Sequence, residues 1–124
     1  MKLNLDCVRD ILLTLEEITD GVIQYDISES NYKKYTSKYS YKEYAYHLRQ
    51  CIDSGLIKGK YDANFVYFQD ITPKAHNFLA NVREDNLWSK FKENAPKFGC
   101  LSINTLISKA SEYFFQLFLD YLKK

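Results

Sequence analysis

The chain has 124 residues, of which 46% are apolar, 27% are charged and 16% are aromatic, and its net charge is +1. This aromatic content and near-neutral charge exclude a disordered chain, and no run of about 20 apolar residues is present that would span a membrane. The composition therefore predicts one soluble domain with no membrane partner.

The first predicted elements are a helix and a short strand. Apolar residues recur at three- and four-residue spacing from Leu5 to Ile18, which predicts an amphipathic helix with Asn4 as its N-cap. Residues 22–27, VIQYDI, alternate in polarity and are rich in β-forming types, so they predict a strand. Residues 28–39 are polar and rich in tyrosine, which predicts a loop or one short, irregular helix.

A capped helix and a β-hairpin follow. Ser40 and Glu43 have the S-x-x-E spacing of a capping box, which predicts a helix from this point to about Asp53. Gly55 is the expected C-terminal stop of that helix. The hairpin is predicted from strands at residues 56–60 and 65–71 and a turn at 61–64.

Three more helices are predicted after the hairpin. Thr72 precedes a proline and is expected to cap the first, and Asp85 is expected to cap the second, which Pro96 and Gly99 would end. Ser102 opens the last helix. The stripe of this helix that is predicted to face the core comprises Ile103, Ile107, Ala110, Phe114, Leu117 and Tyr121.

This order of elements predicts an α+β fold with a winged helix-turn-helix core and extra C-terminal helices. We assign the core to residues 1–82 and a C-terminal helical extension of the same compact domain to residues 83–124. The stretch SYKEYAYHLRQCIDSGLI, residues 40–57, resembles the recognition helix and first wing strand of winged-helix transcription regulators. In those regulators a capped helix with a central His-Leu pair ends at Gly-Leu-Ile and leads into the wing. The resemblance implies DNA binding by the helix at 40–53 and the wing at 56–71.

Three segments also resemble a family of small, often phage- or prophage-borne domains of undefined function. They are NLDCVRDILLTLEE, YHLRQCIDSGLI and ITPKAHNFLANVREDNLW. Members typically begin with a Met-Asp-x-Val-Arg-x-Ile-Leu helix, continue with a Tyr-His-Ile/Leu helix and Gly-Leu-Ile, and then carry a Thr-x-x-Gly-His-x-Phe-Leu run that ends in Trp. Here Ala75 replaces the usual glycine, and Glu84 and Asp85 stand for the usual acidic pair. This resemblance supports the fold and implies no reaction.

The middle of the chain is the predicted nucleic-acid surface. Residues 28–60 carry a net charge of +4, whereas residues 1–27 carry −4. On the helix at 40–53, the spacing i, i+4, i+7, i+8 places four polar side chains on one stripe, where Arg49 can pair with guanine and Gln50 with adenine. The predicted phosphate contacts are Lys42, Tyr46, Lys58, Lys60, Lys33, Lys34 and Lys38. A solvated helix face, and edge-strand lysines that prevent aggregation, are the alternatives.

Other chemistry finds little support in the sequence. The tyrosines between residues 32 and 46 either stack on exposed bases or pack their rings on a small core. His47 and Cys51 lie one helical turn apart, but without further ligands they predict no metal site. Enzyme motifs are missing, so we predict neither catalysis nor a cofactor. The three cysteines, Cys7, Cys51 and Cys100, have wide spacings that predict reduced, mostly buried thiols.

These patterns predict a sequence-preferring, double-stranded DNA-binding protein that acts as a regulator or accessory factor. The alternative is a protein-binding module, such as a phage-encoded inhibitor of a host enzyme, with the tyrosine-rich stretch as its contact surface. The charged N-terminal residues lack the apolar core of a secretory signal, which predicts a cytoplasmic protein. The last helix is apolar nearly all round in its second half and is predicted to form a homodimer through Phe114, Phe115, Phe118, Leu119 and Leu122.

Overall fold

The structure is a computed structural model that describes residues 1–94 and 102–123. Within these residues the chain forms a mixed α+β fold with five α-helices and one three-stranded antiparallel sheet. The chain divides into two compact units, Met1–His76 and Asn77–Lys124. The elements are α1 (Leu5–Ile18), β1 (Tyr25–Ile27), a 3₁₀ helix (Tyr32–Lys34), α2 (Tyr41–Asp53), β2 (Ile57–Tyr61), β3 (Val66–Ile71), α3 (Pro73–Val82), α4 (Asp85–Asn94) and α5 (Ile103–Leu122).

α1 buries one apolar face in the core of the first unit. Asn4 Oδ1 accepts a hydrogen bond from the backbone N–H of Cys7 at 3.2 Å, which confirms Asn4 as the N-cap. The helix spans the predicted residues, since the amphipathic spacing and the cap are both local signals. Its buried apolar side chains are Cys7, Val8, Ile11, Leu12 and Leu15.

β1 is shorter than the strand predicted over residues 22–27. The carboxylate of Asp20 accepts hydrogen bonds from the backbone N–H groups of Val22 and Ile23 at 2.9 and 3.0 Å. These bonds fold the chain into a turn, so only three residues remain extended as a strand. The prediction was wrong for residues 22–24, because alternating side-chain types do not reveal which backbone groups a preceding aspartate binds.

α2 is capped at both ends by local hydrogen bonds. Ser40 Oγ accepts a hydrogen bond from the backbone N–H of Glu43 at 3.2 Å, as the predicted cap requires. At the other end Gly55 has a φ of +77°, and the N–H of Leu56 donates to the carbonyl oxygen of Cys51 at 2.8 Å. This left-handed glycine ends the helix and directs the chain into β2.

The inner face of α2 packs against α1, β2 and β3. The predicted inward positions Tyr44, Leu48 and Cys51 are confirmed as buried, whereas Ile52 is only half-buried. Two residues that were not assigned to this face, Ala45 and His47, are buried as well. A helix packed against three elements buries a wider stripe than the spacing of its apolar residues predicts.

β3 is the central strand of the sheet, whose order is β1-β3-β2 with both pairs antiparallel. β2 and β3 form the predicted hairpin, with Tyr61 opposite Val66 beside the turn. The register shifts between Lys58 and Gly59, because Gln69 of β3 is an extra residue that forms a bulge opposite them. Both hairpin strands start one residue later than predicted.

Two further helices begin at side-chain caps, as predicted. Thr72 Oγ1 accepts a hydrogen bond from the N–H of Ala75 at 3.4 Å at the start of α3. Ser102 Oγ accepts one from the N–H of Thr105 at 3.1 Å at the start of α5. A hydroxyl at the cap satisfies a backbone donor that has no partner within the helix, which fixes where each helix begins.

α4 begins at Asp85, but its cap is Glu84, so the prediction of Asp85 as the cap was wrong. The carbonyl oxygen of Glu84 accepts the first backbone hydrogen bond of the helix at 3.0 Å. Its Oε1 also accepts from the N–H of Asn86 at 3.2 Å. Asp85 lies in the first turn, where its negative charge stabilises the helix through a favourable interaction with the helix dipole. The predicted stop at Pro96 and Gly99 lies outside the described residues.

An aromatic cluster joins α4 to α5 within the second unit. The rings of Trp88 and Phe91 stack with centroids 5.8 Å apart, and Phe78 of α3 meets Trp88 edge-on at 6.4 Å. Phe91 also contacts Tyr113 and Phe114 of α5 at 5.7 and 6.1 Å. Phe114 is therefore engaged within its own chain.

Only the first half of α5 is buried. Ile103, Leu106 and Ala110 form its buried stripe, and no residue from 111 to 123 is buried. The predicted stripe was wrong beyond Ala110, and Leu106 takes the place of Ile107 in the core. A helix of 20 residues is about 30 Å long, and its buried residues lie between Ile103 and Ala110. The predicted core residues that are half-buried or exposed are Ile107, Phe114, Leu117 and Tyr121.

Cys7 and Cys51 are free thiols in the core of the first unit. Burial raises the pKa of Cys7 to about 12, and it raises the pKa of Cys51 well above 9.0. Because the thiolate is the reactive form, we expect iodoacetamide at about pH 8 to alkylate neither residue in the folded protein. Peptide mapping of labelled protein measures both sites, with denatured protein as the control in which both react. Fast labelling of either thiol in the native state would contradict its burial. Cys100, also predicted to be buried, lies outside the described residues.

Candidate nucleic-acid interface

The outer face of α2 carries the side chains predicted to read base pairs. Lys42 is exposed, while Tyr46, Arg49 and Gln50 are half-buried. The four lie on the stripe opposite Leu48, as their spacing along the helix requires. The stripe therefore presents a cation near its start, an aromatic ring in the middle, and a guanidinium beside an amide near its end.

Arg49 is held by the hairpin. Its Nη2 donates to the carbonyl oxygen of Asp62 at 3.4 Å, and its guanidinium carbon lies 5.6 Å from the centre of the Tyr61 ring. The Tyr61 hydroxyl in turn donates to the carboxylate of Asp53 at 2.9 Å. Arg49 Nε is buried and has no hydrogen-bond partner among the described residues. The guanidinium is thus placed between α2 and the hairpin turn rather than extended into solvent.

A second contact joins α2 to the same turn. The hydroxyl of Tyr41, in the first turn of α2, donates to the carbonyl oxygen of Asn64 at 3.5 Å. Together with Arg49 it places the β2–β3 turn beside the helix. The outer face of α2 and the hairpin turn consequently form one continuous surface.

The two predicted phosphate contacts of the hairpin are both exposed. Lys58 and Lys60 line the same groove of about 210 Å³. Gly59 lies between them and lines the same groove. Lys60 Nζ is 5.9 Å from the centre of the Tyr67 ring, so its charge is positioned by a cation–π contact.

The lysines ahead of α2 fall into two groups. Lys33 and Lys34 lie in the 3₁₀ helix and are exposed. Lys38 Nζ is 3.4 Å from the carboxylate of Asp10 on α1. An acidic partner at this distance offsets the positive charge that a phosphate contact needs, so the three lysines predicted as equivalent are not equivalent in the structure.

Acidic residues interrupt the basic surface at the hairpin turn. The carboxylate of Asp62 accepts hydrogen bonds from the N–H groups of Asn64 and Phe65, both at 2.9 Å. These backbone hydrogen bonds lower the pKa of Asp62, which is therefore ionised at neutral pH. The hydrogen bond to Asp53 is the main cause of a raised pKa at Tyr61. Cations therefore dominate β2, whereas the tip of the hairpin is acidic.

The tyrosines that precede α2 pack against the fold. Their rings are half-buried and lie against other aromatic side chains rather than standing free in solvent. Tyr39 also donates its hydroxyl to the carboxylate of Asp10 at 2.7 Å. Of the two interpretations of these tyrosines, the geometry favours packing. The ring pairs are Tyr32 with Tyr41, Tyr35 with Phe68, and Tyr39 with Tyr44.

His47 is a structural residue of the core. Its Nε2 accepts a hydrogen bond from the backbone N–H of Asn4 at 2.8 Å, so Nδ1 carries the proton and donates to the carbonyl oxygen of Glu43, also at 2.8 Å. Both ring nitrogens are thus used by backbone groups, which leaves neither for a metal shared with Cys51. In residues 1–94 and 102–123 no group of three or more His, Cys, Asp or Glu side chains could hold a metal ion. His76 lies elsewhere, with Nδ1 3.4 Å from the carboxylate of Glu16.

Two features of the surface were missed from the sequence. The links that join α2 to the hairpin, through Tyr61 and Asn64, involve residues 8 and 23 positions from their partners, a separation at which no sequence spacing indicates contact. The loop between α1 and β1 also exposes two aliphatic side chains, Val22 at 78% and Ile23 at 54%. Asp20 was the available signal for that loop, because an aspartate side chain often accepts hydrogen bonds from the backbone N–H groups two and three residues ahead and so forms a turn.

The comparisons with known proteins identify one similar family. The family described as "Hypothetical protein (DUF2513)" matches residues 2–101 of the 124. This range contains all three segments that resemble a family of undefined function. No curated protein and no solved structure matches the chain. Among the described residues no helix combines the length and apolar character needed to cross a membrane.

Proposed function

This chain belongs to the hypothetical-protein family DUF2513, and we propose that it is a non-enzymatic winged-helix protein that binds double-stranded DNA. The helix at 40–53 and the wing at 56–71 would carry this activity in a regulator or an accessory factor. The family description names no ligand, so the proposal rests on the geometry of the first unit and on its charges.

The order and pairing of the elements support the winged-helix interpretation. A helix, a short strand, a helical turn and a capped helix precede a hairpin, and the last strand of the hairpin lies between the other two. In winged-helix proteins the helix before the hairpin enters the major groove and the hairpin forms the wing beside it. By this interpretation α2 is the recognition helix and β2–β3 is the wing.

The observation that carries the proposal is the continuous surface made by α2 and the hairpin. Contacts of Tyr41 and Arg49 with the turn hold the wing beside the helix, and Lys58 and Lys60 share a groove on the hairpin. Because the wing is already held in one orientation, it loses little conformational entropy when it binds, and this favours affinity. Lys42 extends the positive charge onto the helix itself.

Each residue type has a distinct task in this proposal. Lys58 and Lys60 contact phosphates and position the protein, as do Lys42, Lys33 and Lys34. Gln50 is placed to read adenine, and Arg49 to read guanine if it leaves the Tyr61 ring. Lys38 contributes less, because Asp10 offsets its charge.

Removing the two hairpin lysines is expected to weaken binding to all DNA sequences alike. For the double variant Lys58→Ala, Lys60→Ala, we expect the slope of log affinity against log salt to fall by about 2, since each phosphate contact contributes about 0.9. Gln50→Ala should instead cost about 1–3 kcal/mol at preferred sites and relax discrimination at one base position. Fluorescence anisotropy with random and selected duplexes at several salt concentrations measures both effects.

Lys90→Ala is the matched control for these variants. Lys90 is an exposed lysine of α4, outside the proposed surface, so its removal should leave the salt slope unchanged. Duplex binding by the wild type that is undetectable at low salt would defeat the proposal, because the electrostatic attraction is strongest there. A fall of about 1 in the salt slope for Lys90→Ala, half that of the double variant, would show that binding follows total charge and not this surface.

A protein-binding module is the second candidate, and the α1–β1 loop favours it. Val22 and Ile23 are exposed although the loop is ordered by Asp20 and by Gln69, whose Nε2 donates to the carbonyl oxygen of Gly21 at 2.9 Å. An ordered loop that presents aliphatic side chains to solvent is typical of a contact for another protein, including the host enzyme of a phage-encoded inhibitor. In this candidate Val22→Ser abolishes partner binding, whereas the hairpin lysines have no effect.

A further inference from the structure

The second half of α5 exposes a set of large apolar side chains. Phe115 is 62% exposed, Phe118 55%, Tyr121 74% and Leu122 62%. Exposed apolar residues that occur singly are ordinary, but these four share one helix within eight residues. A contiguous patch of this kind marks an interaction surface.

The spacing of this patch fits a helix pair. Ser111, Phe115, Phe118 and Leu122 follow one another at intervals of four, three and four residues, which is the seam repeat of two helices packed together. All four are exposed, and Ser111, Phe115 and Phe118 also line one open groove. The seam therefore differs from the interface predicted from sequence, because Phe114 packs on Phe91 inside the same unit.

The exposed area reaches the lower limit of what a specific pair of identical helices buries. An aromatic side chain offers about 150–250 Å² for burial, so Phe115, Phe118 and Leu122 of the seam, together with Tyr121 beside it, leave roughly 500 Å² of each copy open to a partner. Two copies would then bury about 1,000 Å², which is the lower bound for a specific interface. Burial of this apolar area also removes a patch that a monomer would leave in water.

We propose that a second copy of this chain covers the seam, with α5 of one protomer packed on α5 of the other about a two-fold axis. In such a pair each protomer contributes the same patch. The two patches are therefore complementary when the side chains at the centre are apolar and uncharged. The charged residues lie off the seam, whose one polar member is Ser111. Gln116 donates to the carboxylate of Asp120 at 3.1 Å, and Glu112 pairs with Lys109 at 3.4 Å. Because carboxylates border the seam, an anionic lipid surface is disfavoured as its occupant.

Sedimentation velocity of the full-length protein at micromolar concentration tests this pairing. The molecular mass obtained for the wild type is expected to be twice the 14.7 kDa of one chain. Phe115→Glu and Phe118→Glu place a charge in the seam and are each expected to raise the dimer dissociation constant about tenfold or more. Gln116→Glu is the matched control, since it adds the same charge on the same helix off the seam and should leave the dimer intact.

Far-UV circular dichroism of each variant checks that α5 remains helical. A wild-type protein of 14.7 kDa at these concentrations would overturn the pairing. A wild-type dimer that persists in both phenylalanine variants would overturn its location on this seam. The measurement needs no DNA, so its outcome is independent of whether the first unit binds a duplex.

Discussion

Leu48→Ala is expected to lower the free energy of unfolding by about 2–5 kcal/mol, because it removes three carbon atoms from a filled core and leaves a cavity. Leu48 is 0% exposed at the centre of α2, whose inner face packs against α1, β2 and β3. Few neighbours can move to fill the space, since they belong to three different elements. Chemical denaturation followed by circular dichroism measures the loss.

Leu13→Ala provides the matched control for this substitution. Leu13 lies on α1 in the same unit and is only half-buried, so the same chemical change should cost clearly less there. A loss below about 0.5 kcal/mol for Leu48→Ala would mean that the inner and outer faces of α2 are reversed. In that case the proposed stripe of Lys42 and Gln50 would not face solvent.

Gly59→Ala is expected to cost about 3 kcal/mol although Gly59 is exposed. A Cβ at this position would overlap the carbonyl oxygen of Tyr67 on the paired strand and would lie 3.1 Å from the Cα of Phe68. Both obstacles are backbone atoms of the central strand, so the clash cannot be relieved by turning a side chain. Backbone amide shifts of the hairpin and chemical denaturation report the distortion and its cost.

Gly55→Ala separates this steric effect from the conformational freedom of glycine. Gly55 has a φ of +77°, but a Cβ there would meet nothing within 4 Å. The left-handed backbone alone should therefore cost about 1–2 kcal/mol, without a change in the hairpin shifts. Unchanged hairpin shifts in Gly59→Ala would refute the overlap with Tyr67.

The sequence predicts the helices of this protein better than its surface contacts. The cap residues Asn4, Ser40 and Ser102 bind backbone groups three residues ahead, so a local pattern contains both partners. The left-handed glycine that ends α2 is likewise a local requirement. These signals are enough to place the starts of three helices.

Errors occurred where a competing side chain or a missing neighbour decided the outcome. Asp20 binds two backbone amides that the predicted strand would have used. Tyr121 and Leu117 continue an apolar spacing, but burial depends on whether another element reaches that part of the helix. A periodic sequence shows which side of a helix is apolar, and it does not show how far along the helix the core extends.

The candidate surface was predictable only in part. The shared stripe of Lys42, Arg49 and Gln50 follows from helix geometry alone. The pairing of Lys38 with Asp10 could not be predicted, because the two residues are 28 positions apart and their contact depends on the tertiary fold. The contacts of Arg49 with Tyr61 and Asp62 could not be predicted either, because they also depend on the tertiary fold.

The guanidinium of Arg49 is shared between the Tyr61 ring and the carbonyl oxygen of Asp62. A ligand that takes this guanidinium must displace both interactions, and an exposed cation–π contact alone is worth about 0.5–1 kcal/mol. When Arg49 leaves, the hairpin loses one of its side-chain links to α2, and those made by Tyr41 and Asp53 remain. Engagement of Arg49 by a ligand and the attachment of the turn are therefore thermodynamically coupled. The coupling is reciprocal: a ligand that draws the turn away from α2 favours the release of Arg49, and the coupling free energy is the same in both directions.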